Sequence, residues 1–205
     1  MTQHAFIVDD DEAIRDSLSW LLQSRGVPSL AYSSAESFLE AWSPSLTGCI
    51  LLDIRMEEMS GTELFECLLE RGCSLPVIFL TGHGDVPMAV STLKNGAFDF
   101  VEKPCNDNEL VDRVIEALKL DKSRRLASAS ADSINSRLSQ LSTREHQVME
   151  LILAGKLNKV IADTLQICMR TVEVHRSSLF DKMGVRTAVE LAKMLAEVQG
   201  PSRLE

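Results

Sequence analysis

The sequence has no long hydrophobic run and no cysteine pattern typical of a metal site. No stretch reaches the roughly 18 apolar residues of a membrane-spanning helix, and the first residues show no signal-peptide pattern. The five cysteines are odd in number, and no pair has the spacing of zinc ligands. We therefore expect reduced thiols, a cytoplasmic location and no membrane partner.

Charge is distributed unevenly along the chain. Residues 1–121 contain 8 Lys and Arg against 21 Asp and Glu, a net charge of −13, whereas residues 122–205 carry +4. A chain of 205 residues is long enough for one large domain or two small ones. The asymmetry predicts two domains with different partners, and only the basic one is suited to a phosphate backbone.

Short apolar runs alternate with longer amphipathic runs in the first half. The apolar runs predict strands over residues 5–8, 29–31, 49–53, 76–80 and 97–101. The amphipathic runs predict helices over residues 13–24, 34–41, 62–69, 86–94 and 107–120. This order predicts an α/β domain over residues 1–121, with a (βα)5 doubly wound parallel sheet. We expect Trp20, Phe38 and Trp42 to be packing residues of that domain.

Four of the predicted strands end in chemically useful side chains. Asp9 and Asp10 follow the first strand, Asp53 ends the third, Thr81 follows the fourth and Lys103 follows the fifth. Sites in open α/β sheets form at the carboxyl ends of the strands, so these groups should meet. Clustered carboxylates either take raised pKa values or attract a cation, and Mg²⁺ prefers such oxygen ligands. The set suits phosphoryl transfer, with an Asp as nucleophile.

The sequence pattern of the second half predicts helices only. Residues Ser142–Glu145 have the Ser-x-x-Glu form of a capping box, and further helices are predicted over residues 159–165, 170–183 and 187–198. A short helix, a tight turn and a longer polar helix predict a helix-turn-helix whose second helix enters the major groove. We assign residues 141–205 to this small four-helix domain. Residues 122–140, rich in serine, alanine and charge, are predicted to be a linker whose start can extend the preceding helix.

These motifs resemble those of two-component response regulators. The five-point signature of receiver domains is matched by Asp9-Asp10, Asp53, Thr81 and Lys103-Pro104. The separations also fit, with 44 and 43 residues from the acid pair to Asp53, then 28 and 22 to the next two points. Residues 141–198 resemble the LuxR-type helix-turn-helix, and residues 80–88 are similar to the FixJ-like branch.

The resemblance implies a role for each group at the phosphorylation site. Asp53 would accept the phosphoryl group from a sensor histidine kinase. Asp10, Asp53 and the backbone carbonyl of Arg55 would hold Mg²⁺, and Asp9 would help to position the ion without binding it directly. Lys103 would contact the phosphoryl group, and its bond to the following proline is expected to be cis.

The resemblance also implies how phosphorylation changes the rest of the protein. The hydroxyl of Thr81 would move to the phosphate while the ring of Phe100 turns inward. Arg55 and His83 occupy positions that tune the lifetime of the phosphate in the family. Phosphorylation would form a homodimer through residues 86–103, which allows two DNA-binding domains to meet promoter DNA.

The same resemblance implies the DNA contacts. Glu173, Val174 and Ser177 would face base edges in the major groove. Contacts to DNA phosphates, which set the register, would come from Lys159, Arg170, Thr171, Arg176 and Lys182.

Three positions depart from the family pattern. Glu57-Glu58 stand where Pro-Gly is usual, and their charge should favour a cation but oppose an incoming phosphate. Cys105 replaces a common aromatic residue. Gln166 stands where a glycine usually makes the turn of the helix-turn-helix, which implies a small strain if that turn needs a positive φ.

Two readings compete with a phosphorylation-switched transcription factor. The first is a DNA-binding protein with a degenerate, phosphorylation-independent receiver, which the Glu57-Glu58 pair keeps open. The second is a phosphohydrolase that uses Asp53 as its nucleophile. The absence of a cap domain and the basic second half argue against it. Apart from the receiver's own phosphotransfer and dephosphorylation, we expect no enzymatic activity.

Overall fold

The computed structural model describes the backbone of residues 2–82 and 91–199, with side chains up to residue 196. The chain forms two compact units, residues 1–124 and 125–205. The elements that make up or begin in the first unit are β1 His4–Val8, α1 Glu12–Ser24, β2 Ser29–Tyr32, α2 Ala35–Ala41, β3 Gly48–Asp53, α3 Gly61–Glu70, β4 Val77–Thr81, α4 described over residues 91–94, β5 Asp99–Glu102 and α5 Asp107–Leu138.

The first unit is a three-layer α/β structure. Its five strands pair in parallel in the order β2-β1-β3-β4-β5. Alternate residues of β3 face opposite sides, since Cys49 and Leu51 pack with α1 and α5 while Ile50 and Leu52 pack with α2 and α3. Both faces of the sheet are therefore covered, and the predicted doubly wound parallel sheet is confirmed.

Local hydrogen bonds fix where the helices next to the sheet edge begin. The carboxylate of Asp11 caps α1, and Ser60 and Glu63 form a capping box at the start of α3. Gly61 lies so close to the end of β3 that a Cβ there would be 2.0 Å from the carbonyl oxygen of Asp53. Only glycine therefore allows α3 to begin against the strand that carries Asp53.

The predicted packing of aromatic residues is confirmed in part. Phe38 is fully buried, and Trp42 is partly buried against the same core. Trp20 is 73% exposed, so the prediction that it packs was wrong. It follows the buried Leu18 by two residues, which places it on the opposite side of α1. All five cysteines are free thiols, as expected.

The second unit is helical. It contains the end of α5, followed by α6 Thr143–Leu153, α7 Asn158–Leu165, α8 Met169–Met183 and α9 Ala188–Gln199. The residues assigned to a linker are helical up to Leu138, and Ile134 lies in the core of this unit. Arg137 donates a 2.7 Å hydrogen bond to the carbonyl oxygen of Met183. The last turns of α5 thus pack with the helical unit, and the domain limits 1–121 and 141–205 stay a prediction.

The helix-turn-helix is made by α7 and α8. The apolar residues Val172, Leu179 and Met183 of α8 are fully buried. Gln166 has a φ of +53° at the end of α7, so it takes the left-handed conformation that glycine provides more easily. Within the described part of the chain, no helix is long and apolar enough to cross a bilayer.

Candidate functional site

The carboxyl ends of the central strands bring the predicted acidic and basic residues together. Asp53 is the last residue of β3 and pairs with Leu80 of β4, and Thr81 of β4 pairs with Glu102 of β5. Asp9 follows β1, the other neighbour of β3. The parallel order therefore places these chain segments at one edge of the sheet.

Lys103 connects the two buried carboxylates at this edge. Its Nζ lies 2.7 Å from Oδ2 of Asp9 and 2.5 Å from Oδ1 of Asp53. Asp9 and Asp53 are 1% and 7% exposed, so both would be costly to bury as unpaired charges. The Lys103–Pro104 bond is cis, as the resemblance implied.

Backbone groups orient the carboxylates further. The N–H of Arg55 donates to Oδ2 of Asp53 at 2.9 Å, and the N–H of Asp11 donates to Oδ1 of Asp9 at 2.9 Å. The guanidinium of Arg15 donates to the carbonyl oxygens of Asp9 and Asp10, at 2.8 and 2.9 Å. The β1–α1 loop is thereby fixed by a residue of the helix that follows it.

The pKa values in this cluster follow from burial and pairing. Burial raises the pKa of the Asp53 carboxyl, and the hydrogen bond and charge of Lys103 oppose that rise without cancelling it. Burial disfavours the ammonium of Lys103, but hydrogen bonds to Asp53 and Asp9 outweigh it and raise the pKa of Lys103. The lysine therefore stays charged beside the carboxylates, which suits it to neutralise a bound anion.

The remaining predicted groups lie around this cluster. Thr81 is buried, and its carbonyl oxygen accepts a 2.7 Å hydrogen bond from the N–H of Lys103. Phe100 is partly buried against the core on the α2 and α3 side of the sheet. Asp10 is exposed, and its Oδ2 accepts a 3.1 Å hydrogen bond from the N–H of Glu57. His83 lies outside the described residues.

The chemistry of the donor set fits a hard divalent cation. The groups expected to bind it, the carboxylates of Asp10 and Asp53 and the carbonyl of Arg55, supply oxygen ligands only, and Mg²⁺ is commonly held by one or two carboxylates. Over residues 2–82 and 91–199, no three His, Cys, Asp or Glu side chains already form a metal-binding group.

The outer face of α8 carries the predicted base-facing residues. Glu173 and Ser177 are exposed, and Val174 is 61% exposed. Arg170 at the start of α8 and Lys159 in α7 are also exposed. A helix with this exposed face can present three or four side chains to base edges.

Three predicted phosphate contacts have partners within the second unit. Lys182 pairs with the buried Glu145 at 2.7 Å, and the hydroxyl of Thr171 lies 3.1 Å from Sγ of Cys168. Arg176 donates to Oδ1 of Asn158 in α7 at 3.2 Å, and its guanidinium lies 5.1 Å from the ring centre of Phe180. The Lys182 and Arg176 hydrogen bonds join α8 to α6 and α7. Phosphate binding by the three residues stays a prediction.

Comparison with known proteins agrees with both units. Residues 5–115 match the response regulator receiver domain, and residues 139–195 match the bacterial regulatory proteins of the luxR family. This chain belongs to the response regulators.

Several relatives of this response regulator are transcriptional regulatory proteins. It is 48% identical over 190 residues to the C4-dicarboxylate transport transcriptional regulatory protein DctR of Rhodobacter capsulatus, covering 92% of this chain and 96% of that protein. It is 42% identical to the transcriptional regulatory protein FixJ of Azorhizobium caulinodans, covering 92% and 89%. The solved structure of the response regulator StyR matches with a TM-score of 0.89 and 38% identity, covering 96% and 100%. The chain is thus a FixJ-like transcription regulator, and Mg²⁺ binding is typical of such receivers.

Sequence reasoning did not identify three groups that organise this response regulator's sites. Arg15 was read only as part of an amphipathic helix, although it fixes the loop that carries the acid pair. The N–H of Glu57 is a backbone group, so the sequence shows that it is present but not which acceptor it meets. Glu145 was seen as a capping residue, and the Lys182 side chain that pairs with it lies 37 residues away in the sequence.

Glu145 is expected to stabilise the DNA-binding domain in a pH-dependent way. Burial would raise the pKa of its carboxyl, but hydrogen bonds from Lys182, Ser178 and Ser142 lower it to about 2 from the usual 4.5. Because the pKa of Glu145 is lower in the folded than in the unfolded protein, its ionised carboxylate stabilises the fold at pH values above 4.5. This contribution is lost as the pH falls from 4.5 towards 2. Glu145→Gln should therefore cost about 2 kcal/mol at neutral pH, since it breaks a largely buried pair.

Hydrogen exchange of the α6 and α8 amides in the full chain measures this effect. Exchange in Glu145→Gln should be faster than in the wild type at pH 7, and the difference should shrink at pH 3. The matched control is Glu150→Gln, which removes an exposed carboxylate from the same helix. Equal exchange in Glu145→Gln and the control at pH 7 would contradict this role.

Proposed function

We propose that Asp53 is the phosphoacceptor of this transcription regulator and that a sensor histidine kinase is the donor. The observation that carries the proposal is Lys103 bridging the buried Asp9 and Asp53. One Asp53 oxygen forms a bond to phosphorus while the bond between phosphorus and the donor nitrogen breaks. Lys103 then neutralises negative charge on the transferred group, as lysines do at phosphoryl-transfer sites.

A magnesium ion is part of this proposal. Asp10, Asp53 and the carbonyl oxygen of Arg55 would hold it, and Asp9 would help to orient them through its contact with Lys103. When bound, the ion would supply positive charge for the phosphoryl oxygens. The chain itself contributes the oriented carboxylates, since Arg55 and Asp11 donate backbone hydrogen bonds that fix Asp53 and Asp9 before the donor arrives.

We propose that Thr81 and Phe100 transmit phosphorylation to a dimer interface. Thr81 is buried in the strand beside Asp53, within the same sheet edge. The ring of Phe100 lies partly buried on the neighbouring strand, so it can become more buried when Thr81 moves. The interface would use residues 86–103, of which residues 86–90 lie outside the described part.

Dimerisation can be tested with beryllofluoride, which mimics the phosphoryl group on an aspartate. Sedimentation equilibrium of the full chain with Mg²⁺ and beryllofluoride should show a dimer where the untreated protein is a monomer. The same treatment of Asp53→Asn should leave the protein monomeric, because the mimic needs the carboxylate. A wild-type protein that stays monomeric under both conditions would contradict the proposal.

Two DNA-binding domains would then meet two half-sites of promoter DNA. We propose that Glu173, Val174 and Ser177 contact base edges, because they form the exposed face of α8. Arg170 and Lys159 are exposed cations placed to bind phosphates. Thr171, Arg176 and Lys182 would have to contact phosphates in addition to, or in place of, their partners within the domain. With DNA as its partner, the protein is proposed to act in the cytoplasm.

One observation favours a second candidate function. Glu57 and Glu58 add two exposed carboxylates to the loop that follows Asp53, and the backbone of Glu57 engages Asp10. The added charge opposes an incoming phosphate, and the hydrogen bond to Asp10 competes with a cation for that carboxylate. Both effects are expected for a receiver that does not respond to phosphorylation. In that case the protein would bind DNA constitutively.

A further inference from the structure

The carboxylate of Asp10 is held differently from those of its two acidic neighbours. Lys103 divides its ion pairs between Asp9 and Asp53. Asp10 instead directs Oδ2 at the N–H of Glu57, at 3.1 Å, in the loop between β3 and α3. A proposed metal ligand is therefore tied to the loop that follows the proposed phosphoacceptor.

The donor of this hydrogen bond depends on the residue type at position 57. Proline is usual there in the family and has no N–H, so the bond could not form in such a protein. The next residue, Glu58, has a φ of +60°, a conformation that the usual glycine adopts without strain. The Glu57-Glu58 pair thus changes the hydrogen bonding and the strain of the loop as well as its charge.

We propose that the Glu57 N–H is a latch that holds the Asp10 carboxylate in the metal-free protein and must release it before a divalent cation binds. The inference rests on the proposed function, because it takes Asp10 as a ligand of the cation. Glu57 acts here as a positioning residue through its backbone.

The latch and the charge of the two glutamates act in opposite directions on cation affinity. Releasing a charge-assisted hydrogen bond at an exposed site should weaken cation binding, by about fivefold. The two extra carboxylates should strengthen it, but only slightly because both side chains are exposed and screened. A comparison in which the charge is constant isolates the latch.

Two double variants provide that comparison. Glu57→Pro with Glu58→Gly removes the N–H, whereas Glu57→Ala with Glu58→Gly keeps it. Both remove the same two charges and both place glycine at the strained position. Titration calorimetry of the full chain with Mg²⁺ should give a dissociation constant about fivefold lower for the Pro-Gly variant than for the Ala-Gly variant.

If either variant folds poorly, a measurement on the wild type tests the latch instead. The amide proton of Glu57, followed by NMR, should exchange faster with solvent when Mg²⁺ is saturating, because its acceptor has left. Unchanged exchange, or equal Mg²⁺ affinity in the two variants, would overturn the latch while leaving the metal site intact. A wild type that binds no Mg²⁺ at all would overturn the metal site of the proposed function as well.

Discussion

Replacing Asp53 with Asn should abolish phosphorylation of the protein. The substitution keeps the size of the side chain but replaces the nucleophilic carboxylate with a neutral amide. We expect the rate of phosphoryl transfer to fall at least about 100-fold, because a neutral amide is a far weaker nucleophile than a carboxylate. Intact-mass measurement of the full chain after incubation with Mg²⁺ and acetyl phosphate gives the phosphorylated fraction over time.

Asp16→Asn is a suitable control for that measurement. Asp16 is an exposed carboxylate on α1, so the change removes the same charge away from the strand ends. The control should be phosphorylated at the wild-type rate. Phosphorylation of Asp53→Asn at a rate close to the control would show that the acceptor is another residue.

Replacing Lys103 with Met should damage both the chemistry and the fold of the receiver. Methionine has a similar length but no charge, so the transferred phosphoryl group loses a cation worth roughly 10²- to 10³-fold in rate. Asp9 and Asp53 are left as buried carboxylates without their partner. Since the Lys103 side chain is 24% exposed, solvent limits the cost to about 2 to 3 kcal/mol of unfolding free energy.

The stability loss in Lys103→Met should depend on pH. Without the lysine, the pKa of Asp53 should rise further above its usual value, because burial is no longer opposed by the ammonium. A carboxyl group whose pKa is higher in the folded than in the unfolded protein destabilises the fold once the pH rises above the unfolded-state pKa. At lower pH the group is protonated in both states and this destabilisation disappears. Chemical unfolding should therefore show a larger loss at pH 7 than at pH 4. Lys119→Met, at an exposed position on α5, should show neither effect.

The sequence was sufficient to predict the sheet and the acidic cluster, for a simple physical reason. Apolar runs of strand length that alternate with amphipathic helices have few topologies available, and parallel strands bring their carboxyl ends to one edge. Asp53 ends a fully buried strand, and the strands that precede Asp9 and Lys103 lie on either side of it in the sheet. The three residues therefore converge. The Lys103 ion pairs are the observed result.

Other features could not be predicted because the sequence does not encode them in a readable pattern. A charged residue on a helix looks the same whether it meets solvent, DNA or a neighbouring carboxylate, so the pairing of Lys182 with Glu145 was not predicted. The extension of α5 to Leu138 could not be predicted for a similar reason, since a serine- and alanine-rich stretch suits either a helix or a linker. For Glu57 the sequence shows that an N–H is present, but it does not show that Asp10 is the acceptor.

The most direct test of the account is promoter affinity before and after phosphorylation. Wild type and Asp53→Asn are compared on a DNA fragment selected for binding to the full chain, at one fixed salt concentration. Mg²⁺ with beryllofluoride should tighten binding of the wild type at least about tenfold and leave that of Asp53→Asn unchanged. Equal affinity of the wild type with and without the mimic would contradict a phosphorylation switch and favour constitutive DNA binding.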